Sequence, residues 1–235
     1  MIPRVVHQVW LGATEAEPPA RLAEAAATWR AAHPSWEYRC WNGDEVEALF
    51  TRARPDLLEL YRRYPYWVQR ADAARYLILY EHGGVYSDFD VACVRAVDPF
   101  LEAEVVLAPT EPLGVSNDLM MARPAHPLFR AALDELPRSF AAWHRPWIPP
   151  HFRVICGTGS LHLTRVVRRR RTEPGLRLLT AAEYGHGDEA LAVVRHLPGN
   201  SWAGWDTHAL LFLERHWKAL LAGVAALAAA WVVAR

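Results

Sequence analysis

The run YWVQRADAARYLILYEHGGVYSDFDVACV, residues 66 to 94, constrains this chain more than any other. Its first part, Tyr66 to His82, reads as a helix that Gly83 and Gly84 stop with a C-terminal cap. Its second part, residues 83 to 94, reads as a buried β-strand with two carboxylates, Asp88 and Asp90, in the middle. Burying an unpaired charge is costly, so these carboxylates need a partner.

On a strand, side chains alternate between faces. Val85, Ser87, Phe89 and Val91 are expected toward the core, and Tyr86, Asp88 and Asp90 on the opposite face. The two carboxylates then lie about 7 Å apart at Cα, from a rise of about 3.3 Å per residue. Like charges at that spacing call for a cation, and hard oxygen ligands suit Mg²⁺ or Mn²⁺. Such an ion keeps positions open for a diphosphate. On the preceding helix Asp72 and Arg75 share a face, as site residues or as an intrahelical ion pair. The glycine turn, Gly84 included, lets backbone approach a ligand closely.

The rest of the chain alternates strands and helices. Strands are expected at Val5–Leu11, within 33–41, at Val105–Ala108, Asn117–Met121, Leu176–Leu179 and Val193–Leu197. Helices are expected at Pro19–Ala32, Asp44–Phe50, Pro55–Tyr64, His126–Leu136 and Gly159–Arg171. The aromatic and proline-rich stretch Ala141–Phe152 reads as a loop. This is an α/β pattern with a mainly parallel sheet. The 235 residues, 52% of them apolar, suit one large domain or a domain with a small appendage. With 26 basic and 26 acidic residues there is no global positive field, which argues against a nucleic-acid binder. Three distant cysteines form no disulfide or zinc pattern. The opening MIPRVVHQVW is too short and too quickly polar for a signal peptide. The uncharged run Ala219–Ala234 is shorter than the usual span of about 20 apolar residues. It is read as a membrane anchor over residues 216–235, following a catalytic domain over 1–215; a buried core helix is the other reading.

ADAARYLILYEHGGVYSDFD resembles the DxD sugar-binding region of family-32 glycosyltransferases, the group of initiating α-1,6-mannosyltransferases and inositol phosphoceramide mannosyltransferases. It matches their pattern at Asp72, Arg75, Tyr76, Leu79, Gly83, Gly84, Tyr86, Asp88 and Asp90. IPRVVHQVWLG resembles the family's first strand. GVSNDLMMARPAHPLF, CGTGSLHLT and HLPGNSWAGWD resemble later blocks of the inositol phosphoceramide branch, in the same order. The chain departs from the family at residues 157–161, where GTGSL replaces a usual T-G-P.

The resemblance implies a GT-A fold, a Rossmann-like sheet that binds a nucleotide sugar with a divalent metal. It implies Asp88 and Asp90 on metal and diphosphate, with His196 a further metal ligand. Asp72 and Arg75 would contact ribose or donor sugar, and Gln8 and Trp10 would lie near the base. Tyr86 and Gly84 belong to the same donor site. Asn117 and Asp118 would face the donor sugar, with Asp118 the carboxylate beside the anomeric carbon. Ser201 and Trp202 would close over the diphosphate. Asp118, Asp90 and Arg75 are the expected catalytic set. The family is retaining.

The donor implied first is GDP-mannose; a UDP-hexose used in polysaccharide or capsule synthesis is the alternative. The aromatic stretch Trp143–Phe152 and the apolar tail point to a lipid-linked acceptor, with a glycan as the other possibility. High Ala and Arg usage suggests a bacterium, with the catalytic domain cytoplasmic at the inner membrane; a Golgi membrane is the alternative. Two rivals fit less of the pattern. A haloacid-dehalogenase-type phosphatase would want Thr or Val where Ala92 stands. A catalytically inactive sugar-binding membrane protein would tolerate a degraded DxD, whereas both aspartates, Arg75 and Trp202 are present.

Overall fold

The computed structural model describes residues 1–11, 18–110, 114–170, 175–186, 189–197, 206–207 and 216. Ser201, Trp202 and the apolar run 219–234 lie outside them. Among the described residues no helix is long and apolar enough to cross a membrane.

The chain opens with β1 (Val5–Val9), α1 (Ala20–Ala32) and β2 (Glu37–Trp41). β1 and β2 pair in parallel, so α1 is a crossover of the βαβ kind. Three helices follow: α2 (Gly43–Ala53), α3 (Pro55–Arg63) and α4 (Trp67–His82). Asn42 and Glu45 close a capping box on α2, and Pro55 starts α3 at a position that needs no N–H donor. Gly83, at φ 66°, ends α4 and returns its N–H to the carbonyl of Leu79.

The chain then enters β3 (Gly84–Ser87), which pairs with the other side of β1, again in parallel. Reversing direction from β2 to β3 makes the crevice between β1 and β3 the topological switch point. In open α/β sheets ligands bind there, at the carboxyl ends of the strands. Trp10 follows β1 and Asp88 follows β3, both at that end. Gly84 sits at φ 90°, and a Cβ on it would stand 2.6 Å from Val5 Cγ1 and 2.7 Å from the Val5 carbonyl. The close approach that this glycine permits is therefore to β1 itself.

The expected single strand over 83–94 is two strands. β3 ends at Ser87, and β4 (Val91–Cys93) belongs to a separate two-stranded sheet with β8 (Val194–His196). Asp88, Phe89 and Asp90 form the turn between them, closed by the Val91 N–H on the Asp88 carbonyl at 3.2 Å. Hydrophobic alternation runs through the break because both strands are buried, so periodicity alone could not reveal it.

The large sheet also contains β5 (Val105–Pro109), β6 (Val115–Ala122) and β7 (Leu176–Leu178), in the order β2-β1-β3-β6-β5-β7. β6 is antiparallel to both β3 and β5, and β7 is parallel to β5. The sheet is mainly parallel, as expected, with β6 as its antiparallel member. Its two faces are both covered, which is why nearly every residue of β1, β3 and β5 is buried. Val9, Tyr86, Leu107 and Met120 pack in one core with α2, α3 and α4; Val6, Val85, Val106 and Met121 pack with Trp29 of α1 and Val91 of β4.

Four further helices complete that cover: α5 (Pro127–Asp134), α6 (Leu136–Trp143), α7 (Pro150–Gly157) and α8 (Ser160–Arg169). The stretch 141–152, expected as a loop, is the end of α6 and the start of α7 with only 144–149 between. Pro150 marks the first turn of α7, where proline is tolerated.

Candidate active site

The site is assembled from four segments. The turn 88–90 supplies two carboxylates. β6 supplies Asn117 and Asp118, held in register by the Asp88 N–H on the Asp118 carbonyl at 2.8 Å. β8 brings His196 opposite Val91, and the Leu197 N–H reaches the Asp90 carbonyl at 2.7 Å. α4 supplies Asp72 and Arg75 from behind.

Arg75 is the hub. It is 3% exposed, and its Nη1 donates to Asp88 Oδ2 at 3.0 Å and to the Asn117 carbonyl at 2.7 Å. Its guanidinium lies 4.7 Å from the centroid of the Tyr86 ring. Burial opposes its charge, but the Asp88 carboxylate, Tyr86 and Asp72 outweigh burial and hold Arg75 protonated. Tyr86, wholly buried, donates its hydroxyl to Asp88 Oδ1 at 2.6 Å. The Asp88 side chain keeps 29% of its surface open to solvent, so it is held from behind and accessible in front.

Asp72 lies one layer deeper, at 2% exposure. Its oxygens accept from Asn117 Nδ2 at 2.8 Å and Thr158 Oγ1 at 2.8 Å, with Arg75 Nη2 at 3.4 Å. Burial raises its pKa against those partners. In this arrangement Asp72 orients Arg75 and Asn117. Thr158 comes from the C-terminal end of α7, within the segment where the chain departs from the family pattern.

Gln8, buried on β1, donates to the Asp88 carbonyl at 3.2 Å and accepts a short hydrogen bond from the Tyr38 hydroxyl. Trp10 packs edge-on against Phe89 at 5.5 Å between centroids. These two residues therefore brace the acidic turn from the β1 side. His7 donates from Nε2 to the Gly83 carbonyl at 3.1 Å and accepts from Trp41 Nε1 at 3.1 Å. Burial pushes its pKa down to about 3, so it is a neutral strut between strands.

The front of the site is acidic. Burial pushes the Asp88 carboxyl up to about 7, with Arg75 opposing and Asp90 and Asp118 adding to the rise. Burial, then Asp118, raises Asp90 as well. Asp118 accepts from the Tyr184 hydroxyl at both oxygens, 2.7 and 2.6 Å. Tyr184, 3% exposed on the segment between β7 and β8, has no signal in the sequence. His196 Nε2 is buried without a hydrogen-bond partner and lies 3.6 Å from Asp118 Oδ2. An orphaned ring nitrogen beside mutually repelling carboxylates is a donor set that suits a divalent cation. Among the described residues, no three such side chains are gathered closely enough to hold an ion by themselves.

A mixed sheet of this order, with a half-buried acidic turn at its switch point, defines the GT-A class of nucleotide-sugar folds. Solved structures agree. The UDP-bound glycosyltransferase domain of the YGT toxin superposes with a TM-score of 0.56 at 8% identity, over 76% of this chain and 79% of that one. The PaToxG glycosyltransferase gives 0.53 at 14% identity, over 72% and 70%. The family model of the glycosyltransferase sugar-binding region containing the DXD motif matches residues 19–107. Inositol phosphoceramide mannosyltransferase 1 of Schizosaccharomyces pombe is 31% identical over 94% of this chain and 68% of its own length. Mannosyl phosphorylinositol ceramide synthase SUR1 of Saccharomyces cerevisiae is 32% identical over 92% of this chain and 56% of its own. The chain belongs to the DXD-containing glycosyltransferase family. It spans 56% to 68% of the length of the five inositol phosphoceramide relatives that it matches.

Proposed function

We propose that this chain is a metal-dependent, retaining glycosyltransferase that moves mannose from GDP-mannose to a lipid-linked acceptor. The observation that carries this reading is the accessible Asp88–Asp90 turn, clamped from behind by Arg75 and faced by His196 and Asp118. The names of the curated relatives support mannose as the sugar and an inositol-bearing lipid as the acceptor class. Residues 1–215 would be the catalytic unit, and 216–235 an anchor to the membrane that carries the acceptor.

In this reading Asp88, Asp90 and His196 would hold Mn²⁺ or Mg²⁺ only together with the donor diphosphate, since the three side chains are not gathered closely enough to do so by themselves. The ion would supply charge neutralisation as the nucleoside diphosphate departs. The chain's own residues do the rest. Arg75 fixes the Asp88 carboxylate in one orientation and adds positive charge beneath it. Asp118 places a carboxylate beside the anomeric carbon, where an oxocarbenium-like transition state accumulates positive charge. Tyr184 holds that carboxylate through its one hydroxyl proton, shared between the two oxygens. Trp10 would meet the base from β1, with the buried Gln8 acting only through the turn it braces, and Ser201 and Trp202 would cover the diphosphate.

Asp88→Asn tests this reading. The amide keeps the shape of the turn and one acceptor oxygen, but loses the second acceptor and the charge for a cation. Mn²⁺-dependent stabilisation by GDP-mannose and transfer activity should both vanish while the fold persists. Retained metal-dependent turnover in D88N would reject the metal role.

A further inference from the structure

Two segments away from the acidic turn are unusual for their surface. Residues 60–70 and 143–153 carry Arg62, Arg63, Arg70, Arg145 and Arg153 and no acidic residue, in a chain whose formal net charge is zero. They also expose aromatic rings. Trp147 is 76% exposed and Trp67 48% exposed, although tryptophan gains much from burial.

The segments are tied together. Gln69, wholly buried, donates to the Arg153 carbonyl at 2.9 Å and bonds His144 at about 3 Å. Arg153 in turn donates to the carbonyls of Ile148 and Pro146, at 2.6 and 2.9 Å, fixing the connection that carries Trp147. Arg70 donates to the carbonyls of Tyr64 and Arg62 and lies 4.7 Å from the Trp67 ring. Arg62 also pairs with Glu47, whereas Arg63 and Arg145 lie exposed. The tryptophans are thus presented on a rigid frame, with arginines around them. From Trp67 to Arg75 is eight residues along α4, or about 12 Å at 1.5 Å per residue.

We infer that this aromatic and basic surface docks on an anionic lipid bilayer, holding the donor site within about 12 Å of the headgroup level, from eight residues of α4 at about 1.5 Å each. Tryptophan favours the headgroup level of a bilayer, and arginine is drawn to its negative surface potential. The inference deepens the lipid-acceptor reading and rests on it for its purpose, but its test does not use transfer.

The full chain is mixed with neutral phosphatidylcholine vesicles and with vesicles of about 30% phosphatidylserine, at low and high salt. Each basic residue at an anionic surface contributes roughly fivefold in affinity. R63Q/R145Q should therefore lower partitioning onto the anionic vesicles roughly tenfold or more and reduce its salt dependence. W67A/W147A should weaken binding to both kinds of vesicle. Brominated lipids should quench part of the wild-type fluorescence that W147F lacks, a readout that an apolar tail elsewhere in the chain cannot mimic. Donor stabilisation should be unchanged in all three variants, which separates this test from failure of the transferase reading. Equal partitioning of both double variants, with identical quenching in W147F, would overturn the proposal. So would unchanged vesicle binding with a weaker KM for a water-soluble glycan acceptor in W67A/W147A, which would assign the surface to the acceptor sugar.

Discussion

Asp118 carries a negative charge into a site already crowded with Asp88 and Asp90, and Tyr184 is what fixes its orientation. Tyr184→Phe removes one hydroxyl and no ring. The fold should lose about 1.5–3 kcal/mol, the range for a hydrogen bond to a charged group. The kcat for transfer should fall by an order of magnitude or more with KM for the donor little changed if, as proposed, the carboxylate acts on the reacting centre rather than on donor binding. An equal rise in KM would place Asp118 in binding instead. Asp88 gives a pH dependence. Its carboxyl, raised to about 7 by burial, binds a proton in the folded chain that the unfolded chain has released above its ordinary pKa near 3.8. Between those values the folded state holds more protons, so this group's contribution to stability falls as pH rises toward 7. A cation competes with that proton. Stabilisation by Mn²⁺ and donor should therefore grow from about pH 6 to 8, and pH-independent metal affinity would contradict a raised Asp88 carboxyl in the metal site. The motif residues were legible because D-x-x-R-Y and D-x-D are contiguous patterns. Tyr184 and Thr158 were not, because each meets its carboxylate only through tertiary structure, from positions 66 and 86 residues away in sequence.

At the scale of elements, the junction of α4 and β3 is what aims the acidic turn. Gly84 lies at positive φ with Val5 pressed against its missing Cβ. Gly84→Ala adds a strained backbone, about 1–3 kcal/mol, and a clash of similar size. Chemical denaturation should register a loss of several kcal/mol, with donor binding weakened in the fraction that stays folded. A loss under about 1 kcal/mol would mean that β1 yields easily and does not set the turn. Helix ends were legible where a glycine or proline bounded an expected helix, as at Gly83 and Pro55. The break at Asp88 was not, because the residues on both sides of it are buried and β-forming. The helices α6 and α7 were masked by tryptophan, histidine and proline, whose turn-like composition conceals two helix ends meeting across 144–149.

For the whole molecule, the strand order could not be read from the sequence. The α/β class follows from alternation, and the family resemblance implied a Rossmann-like sheet. The antiparallel β6, which sits between β3 and β5 and delivers Asn117 and Asp118, depends on long-range pairing. That strand is what turns an acidic turn on one crossover into a two-sided site, with the DxD carboxylates on one wall and Asp118 on the other. The central claim is that this site takes a sugar nucleotide together with a divalent ion.

The measurement that tests it most directly is thermal unfolding of the full chain with GDP-mannose, UDP-glucose, UDP-galactose and UDP-N-acetylglucosamine, each with Mn²⁺ and with chelator. Ligand at about 100 times its Kd stabilises the folded state by roughly 2.7 kcal/mol. For a chain of this size that corresponds to a rise in Tm of roughly 5–10 °C. The account predicts such a rise with GDP-mannose and Mn²⁺, abolished by chelator and absent in D88N. A shift with GDP-mannose that chelator leaves intact, or no shift with any of the four donors, would contradict it.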